Sequence, residues 1–361
     1  MQFETIEIFD WLKRLPHSLL DLSSSGVQGP ETLAELGLDL SDLPLKGENH
    51  YGYRPLKETL AQCYQVTPDR IAITPGASMG SFAAMAAIVQ SSDQVVIEHP
   101  CYQPFVRVTE VLTNSEPGFF QRRSEDNYRL DPDGAQIAST KPKAIVTTNL
   151  HNPTGILDST EPILELADRV EPWKGWLVVD EVFLPFMEGW KHLTSAGKHP
   201  RIIVLGSLTK AWGLSGLRIG WVIAPPEIIR RVELIMDYMH VNQPFLTEFL
   251  AHLILAGQTG ERLLEQARER AASNWVTMQL FLASHPELIW TKPSGGIVVW
   301  VRFGDGRSAK PLCERLLTEM NTLVMPGFYF GVDDAFRLGF GADPKVIERG
   351  LAAVGTLLKD Q

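Results

Sequence analysis

Cysteine is scarce in this sequence: Cys63, Cys101 and Cys313 are the only three in 361 residues, widely spaced and odd in number. No CxxC pair is present, so zinc is not suggested, and reduced thiols of an intracellular protein are the expected state. Long apolar runs are missing as well. The longest, such as Ala83–Val89 and Gly295–Val301, fall well short of the ~20 residues that a membrane span needs. Basic charge is not in excess either, since 33 Lys and Arg face 43 Asp and Glu for a formal net charge of −10. That balance argues against a general nucleic-acid or anionic-membrane surface and leaves room only for a local basic pocket. Met1 to Arg14 carries Glu4, Glu7 and Asp10 without a basic-then-apolar order, so no signal peptide is read there. There is no internal repeat and no low-complexity linker. The expectation is a soluble, cytoplasmic protein.

What is present is ordinary globular composition, 44% hydrophobic and 21% charged, in a chain long enough for one large and one smaller domain. Short β-branched runs alternate with amphipathic stretches. Strands are predicted at Ile71–Thr74, Gln94–Glu98, Ala144–Thr148, Trp176–Asp180, Ile202–Ser207 and Arg218–Ala224. Helices are predicted between them at Ser78–Val89, Tyr102–Leu112 and Glu161–Val170. Strands apolar on both faces and separated by helices imply a mostly parallel, covered sheet of an α/β protein. In such a sheet, ligands gather outside the carboxyl ends of the strands. After Pro225 the pattern turns helical, at Glu227–His240, Pro244–Ala256 and Glu261 to about Ala283. A smaller α/β unit follows, with strands near Ile297–Phe303, Thr322–Met325 and Ala335–Leu338 and helices at Ala309–Met320 and Pro344–Leu358.

The segment SLTKAWGLSGLRIGW, Ser207 to Trp221, leaves a strand with one lysine and enters another through Arg218. A lysine there, with a hydroxyl before it and an arginine after it, suits a phosphate-bearing carbonyl cofactor. Its amine can form a Schiff base once its surroundings lower the pKa. TPGASMGS, Thr74 to Ser81, follows a strand and opens a helix, where small residues let backbone N–H groups approach an anion. Asp180 ends the strand WLVVD, placed either to meet a cationic nitrogen or to cap a turn. NLHNPTG, Asn149 to Gly155, follows a strand with an Asn152-Pro153 turn that can aim its amide into the same crevice. Four strand ends thus offer a phosphate cradle, an acid, an amide and an amine.

These motifs together resemble the fold-type I pyridoxal-phosphate enzymes, specifically the class I/II aminotransferases, over nearly the whole chain. HYGYRPLKETLA (His50 to Ala61), PSGGIVVW (Pro293 to Trp300), PGFYFG (Pro326 to Gly331) and RLGFG (Arg337 to Gly341) add to the match. The resemblance implies a fold-type I α/β transferase whose cofactor is pyridoxal 5'-phosphate. It implies an N-terminal arm at 1–45 packing with the small domain, a large cofactor-binding domain at 46–283, and a small domain at 284–361. Lys210 then resembles the Schiff-base lysine and proton-moving base, and Asp180 the partner of the pyridinium nitrogen. Asn152 resembles the donor to the cofactor's phenolate oxygen, and Tyr102, in HPCYQP, the residue stacked on the ring. Gly76, Ala77 and Ser78 resemble the backbone phosphate cradle, with Ser207 and Arg218 adding side-chain contacts. Arg337 matches the arginine that grips the substrate α-carboxylate bidentately. Tyr51 looks like the tyrosine that reaches the phosphate of a neighbouring subunit, which implies a homodimer with shared sites. Gly26, in SSSGVQGP, sits where an N-terminal segment touches substrate or simply turns. Met236, Tyr238 and Met239 read as core or dimer contacts, and Trp212 as core in preference to the wall of a pocket for bulkier groups. One departure stands out: three residues after the ring aspartate the family usually has tyrosine, and here it is Phe183.

The expected function is transamination between an amino acid and a 2-oxo acid, with no nucleic acid and no membrane as partner. A carbon–sulfur lyase or a decarboxylase would use the same residues. A non-catalytic cofactor-binding regulator is disfavoured, because such proteins usually carry an added DNA-binding domain and this chain begins almost directly at the catalytic unit. No second arginine is placed for a dicarboxylate side chain, so nothing in the sequence points to aspartate as the substrate.

Overall fold

A computed structural model of the chain describes residues 3–16, 19–39, 41, 43–133 and 140–359. In chain order its strands are β1 (Leu20–Asp21), β2 (Ile71–Thr74), β3 (Val95–His99), β4 (Gly118–Gln121), β5 (Ala144–Thr148), β6 (Trp176–Asp180), β7 (Ile202–Ser207) and β8 (Gly220–Ile223), then β9 (Leu288–Trp290), β10 (Val298–Phe303), β11 (Thr322–Leu323), β12 (Met325–Pro326) and β13 (Ala335–Gly339). Its helices among the described residues are α1 (Glu7–Arg14), α2 (Arg54–Tyr64), α3 (Ala77–Ile88), α4 (Gln103–Thr113), α5 (Thr160–Val170) and α6 (Trp190–Leu193), then α7 (Pro226–Asp237), α8 (Phe245–Ala256), α9 (Gln258–Ala283), α10 (Lys310–Met320) and α11 (Pro344–Lys359).

Seven strands form the large sheet in the order β2-β8-β7-β6-β5-β3-β4. The pairs β3–β4, β3–β5, β5–β6 and β6–β7 are parallel, and β8 runs antiparallel to both of its neighbours. The central strands read AIVTT, WLVVD and IIVLGS and are buried on both faces apart from Asp180 at an end. β-branched residues favour the pleated backbone, and helices cover both faces, as parallel pairing demands. Each fully buried Val, Ile or Leu contributes roughly 1.5–3 kcal/mol, so this layer supplies much of the core.

The second sheet is antiparallel, β12-β13-β10-β9, and a separate parallel pair joins β1 to β11. Residues 20–22 are thereby stitched to the C-terminal unit: Leu22 N–H donates to the Leu323 carbonyl, and Gly339 N–H to the Leu22 carbonyl. By contrast α1 lies against α4, where Glu7 pairs with Arg107 and the Ile8 N–H donates to Gln103. The 26-residue α9 packs on α8 and α11, and its Asn274 amide donates to the Phe340 and Ala342 carbonyls beyond β13.

The mostly parallel α/β fold is as the sequence implies, with several local corrections. The single strand expected at Thr322–Met325 is two, because β11 pairs with β1 while β12 pairs with β13, and Val324 crosses between the sheets. The strand expected from Arg218 begins at Gly220, since Arg218 ends a short 3-10 turn at φ 53°. The helix expected to reach His240 stops at Asp237. Met236 and Trp212 are core residues, but Tyr238 is 94% exposed. The expected arm at 1–45 contains residues 1, 2, 17, 18, 40 and 42, which lie outside the described residues, as do 360 and 361 of the small domain.

Candidate active site

Register decides what meets at the sheet's carboxyl edge. Thr74 at the end of β2 and Ser207 at the end of β7 both lie opposite Gly220 at the start of β8. Thr148 at the end of β5 lies opposite Asp180 at the end of β6. The turns carrying Gly76, Asn152 and Lys210 therefore leave one edge together, and Arg218 arrives there just before β8. A cavity of about 430 Å³ opens above it, lined in part by Ala77, Ser78, Tyr102, Asn152, Asp180, Ser207, Lys210 and Arg218.

One end of this cavity is built for an anion. Among the described residues no side chain caps the first turn of α3, which leaves its leading N–H groups available, and Gly76 enters that turn at φ 84°. A Cβ at Gly76 would come within 2.5 Å of Arg218 Nη2, so only glycine lets backbone and guanidinium approach this closely. The Ser207 hydroxyl lies 2.7 Å from Thr209 Oγ1, adding two more polar groups to the same end. Bare helical N–H groups, hydroxyls and a guanidinium fit a phosphate.

Deeper in, Lys210 and Asp180 face one cavity with unusual acidities. Burial pushes the Lys210 amine down to about 8, with the Arg337 charge adding to the effect and Asp180 opposing it. Burial raises the Asp180 carboxyl to about 7, against the Val182 N–H bond and the Lys210 charge. Asp180 Oδ1 accepts that Val182 N–H at 2.9 Å, so the residue both caps its own turn and points a carboxylate into the cavity. Lys210 Nζ donates to Ser25 Oγ at 2.8 Å.

Arg337, at the centre of β13, reaches across from the second sheet and is 3% exposed. Its Nη1 donates to Asn152 Oδ1 at 2.8 Å and its Nη2 to the Ser23 carbonyl at 2.7 Å. Its Nε is buried with no hydrogen-bond partner among the described residues. Burial lowers its pKa to about 10, against the attraction of Tyr102 and Asp21. A buried guanidinium with an orphan donor is costly unless something anionic completes it. Tyr102 precedes α4 and makes an edge contact with Phe9, and burial raises its phenol well above the ordinary value.

The aminotransferase class I and II model matches residues 46–354. The chain belongs to that family. Its members depend on pyridoxal phosphate, and the cradle, acid, amide, ring and lysine described above fit that group. The chain is 29% identical to a capreomycidine synthase of Streptomyces vinaceus over 96% of its own length and 91% of the relative's. It is 26% identical to an arginine–pyruvate transaminase of Pseudomonas aeruginosa, covering 90% of this chain and 86% of that one. A solved PLP-dependent aminotransferase from Streptococcus suis has the same fold, with a TM-score of 0.89 over 100% of this chain and 99% of that one at 23% identity.

Within this family frame, the expected residues Gly76, Ala77, Ser78, Tyr102, Asn152, Asp180, Ser207, Lys210, Arg218 and Arg337 come together in one place. Gly26 is also close, since a Cβ there would lie 3.8 Å from Lys210 Cδ. Phe183 lines the cavity and is buried, with its ring stacked 6.4 Å from Phe186. Tyr51 stands apart: it is half exposed, absent from the cavity lining, and its hydroxyl lies 3.4 Å from Asp237. Sequence reading missed Ser25 and Thr209. The hydroxyl directly before Lys210 was a usable signal for Thr209, whereas Ser25 is one of three consecutive serines and carries none. It also missed the apolar wall made by Ile6 just before α1, Phe9 on α1, and Phe105 and Val108 on α4.

Proposed function

We propose that the chain is a pyridoxal-phosphate-dependent aminotransferase that moves an amino group between an L-amino acid and a 2-oxo acid through a Schiff base on Lys210. The reading is carried by one observation: a lysine amine at about 8, a carboxylate and an amide line one cavity, and that amide's oxygen accepts from a buried, incompletely partnered arginine. Bound there, the cofactor supplies an electron sink for the pair left behind when the substrate's α-proton departs. Gly76, Ala77, Ser78, Ser207 and Arg218 would hold its phosphate. Asp180 would keep its ring nitrogen protonated, Asn152 would donate to its ring oxygen, and Tyr102 would cover its ring. Arg337 would take the substrate α-carboxylate on two N–H groups, including the orphan Nε, and so fix which α-bond is presented. Gly26 leaves space beside the lysine. Lys210 Nζ, partly neutral near neutral pH, would accept the α-proton and later return it.

A spectral screen tests this. Loaded enzyme is mixed with single amino acids, and conversion of the lysine-bound cofactor band to that of the amine form is followed. Conversion that is reversed by a 2-oxo acid supports transamination. A second reading is elimination or decarboxylation with the same residues, to which the capreomycidine synthase likeness adds cyclisation. Release of ammonia, sulfide or carbon dioxide, or a ring-closed amino-acid product, without any need for a 2-oxo acid would favour it.

The same reading divides the chain into an arm at 1–45, a cofactor-binding body at 46–283 and a small body at 284–361, and makes it a cytoplasmic homodimer. Tyr51, turned away from its own cavity, would serve the site of a second copy. Exposed Tyr238 and Val241, at 94% and 86%, support a covered surface nearby. A monomer by sedimentation that retained full activity would rule the shared site out.

A further inference from the structure

The segment that follows β1 is tied at three points, and one of its side chains touches the reacting amine. Asp21 Oδ1 accepts the Ser23 N–H and the Ser23 hydroxyl at 2.7 Å each, and the Ser24 N–H at 3.2 Å. Arg337 Nη2 holds the Ser23 carbonyl at 2.7 Å. Val27 N–H donates to the Lys210 carbonyl at 3.1 Å. Between these ties, Ser25 presents its hydroxyl to Lys210 Nζ at 2.8 Å. Lysine carries its charge on a flexible four-carbon stem, so an amine without an anchor would spread over many positions. A hydroxyl on a segment pinned at both ends has one place to be.

We propose that Ser25 is a positioning residue for Lys210, receiving the lysine N–H and holding the amine at the cavity wall whenever it is not covalently engaged. The proposal rests on the reading of Lys210 as the cofactor-binding lysine. A base that must give its place to the substrate amine and then carry a proton between neighbouring atoms gains most from being held in reach. A serine hydroxyl suits both states, accepting from an ammonium and donating to a neutral amine. Four groups set the field it works in: Asp180 from β6, Arg337 from β13, Arg218 from the turn before β8, and Asp21 on its own segment, which faces Arg337.

The sign of the test follows from the bond. An oxygen that accepts from the ammonium favours the charged amine, so its removal lets Lys210 lose its proton at lower pH. The full-length chain, stripped of cofactor, is mixed with pyridoxal 5'-phosphate at a series of pH values, and the rate of uptake is followed by absorbance. In Ser25→Ala the midpoint should fall by about half to one pH unit, and Ser25→Thr should restore it. In the loaded enzyme, with the amino donor that the spectral screen selects, Ser25→Ala should lower kcat about tenfold and leave KM unchanged, because Arg337 is intact. An unchanged midpoint in Ser25→Ala overturns the proposal. So does an equal loss in the Ala and Thr variants, since the hydroxyl would then not be what matters. If Ser25→Ala does not fold, Ser25→Thr against Ser25→Val makes the same comparison, because the two differ only in the hydroxyl. Retention of the lysine-bound cofactor band in Lys210→Ala would sink the lysine reading and this proposal together, whereas its loss, with Ser25→Ala unchanged, sinks this proposal alone.

Discussion

Two clusters of buried charge lie a few residues apart in this molecule, and they are finished to different degrees. Behind the Asn152 turn, Arg122 gives Nε to Glu98 at 2.7 Å, Nη1 to Asp158 at 2.6 Å and Nη2 to Thr147 at 2.9 Å. Thr148 Oγ1 donates to Glu98 at 2.6 Å and accepts the Asn152 N–H at 2.9 Å. Asp158 also takes the Leu130 N–H, and both ring nitrogens of His151 have partners in Thr154 and the Pro100 carbonyl. Around the cavity, by contrast, Arg337 behind Asn152 has an Nε without a partner among the described residues, and Asp180 has one backbone donor. A buried charge is tolerated when every donor and acceptor is met, and such a cluster can serve as a rigid support. Charges left short of partners mark where a ligand completes the set. The first cluster holds the Asn152 turn in place beside the second.

The comparison breaks most visibly at Arg122. Arg122→Met would leave Glu98 and Asp158 buried without their cation, at a cost of about 3–5 kcal/mol. Urea unfolding should show the loss, and a variant within 1 kcal/mol of the parent would mean the cluster is not a support (roughly the scale of one ordinary hydrogen bond).

Asp180→Asn should do the reverse, harming chemistry and sparing the fold. In the proposed role Asp180 would hold a proton on the cofactor's ring nitrogen, and its replacement should drop turnover by about a hundredfold, or ~2.7 kcal/mol. The cofactor-free protein supplies a pH test of the same residue. Burial raises this carboxyl from 3.8 to about 7, so the folded state keeps a proton that the unfolded chain releases in that window. Its contribution to stability is full below the lower value and falls as pH rises toward the upper one. Asn cannot ionise, so melting of the cofactor-free variant should gain on the parent between pH 4 and 7. Parallel melting curves across that range would show that Asp180 is not strained by burial.

Arg337→Lys should weaken amino acid and oxo acid binding alike by roughly 1.5–3 kcal/mol, with the lysine-bound cofactor spectrum unchanged. An equal weakening toward simple amines, which lack the carboxylate, would contradict the carboxylate role.

Phe183→Tyr is the smallest expected effect. A hydroxyl facing the cofactor's ring oxygen matters more once the Schiff base has lost its own N–H, so it favours the deprotonated form. The spectrophotometric midpoint should move to lower pH by somewhat under one unit. An unchanged midpoint would mean that position 183 does not face that oxygen.

What could be read from the sequence, and what could not, follows the same division. Lys210, Asp180 and Asn152 could be singled out because they sit at or just beyond strand ends, which are visible in apolar runs, whereas Arg337, at the centre of β13, was singled out by resemblance alone. Glu98, Arg122 and Asp158 were not, since they come from three separate stretches and only the fold makes them neighbours. Ser25 is invisible for a similar reason: its partner is 185 positions away and three serines in a row look like a turn. The edge strand β4, GFFQ, went unread because four residues with one buried face give too short a pattern. Thr322–Met325 looked continuous because both halves are buried, and only pairing reveals the crossing.

The claim that Lys210 is the covalent anchor is tested most directly by the absorbance spectrum of purified Lys210→Ala after addition of pyridoxal 5'-phosphate. The fold should melt as the parent does, while the Schiff-base band is absent and the phosphate passes through a desalting column with the buffer or binds only reversibly. A variant that retained that band and turned over amino acids would place the anchor elsewhere.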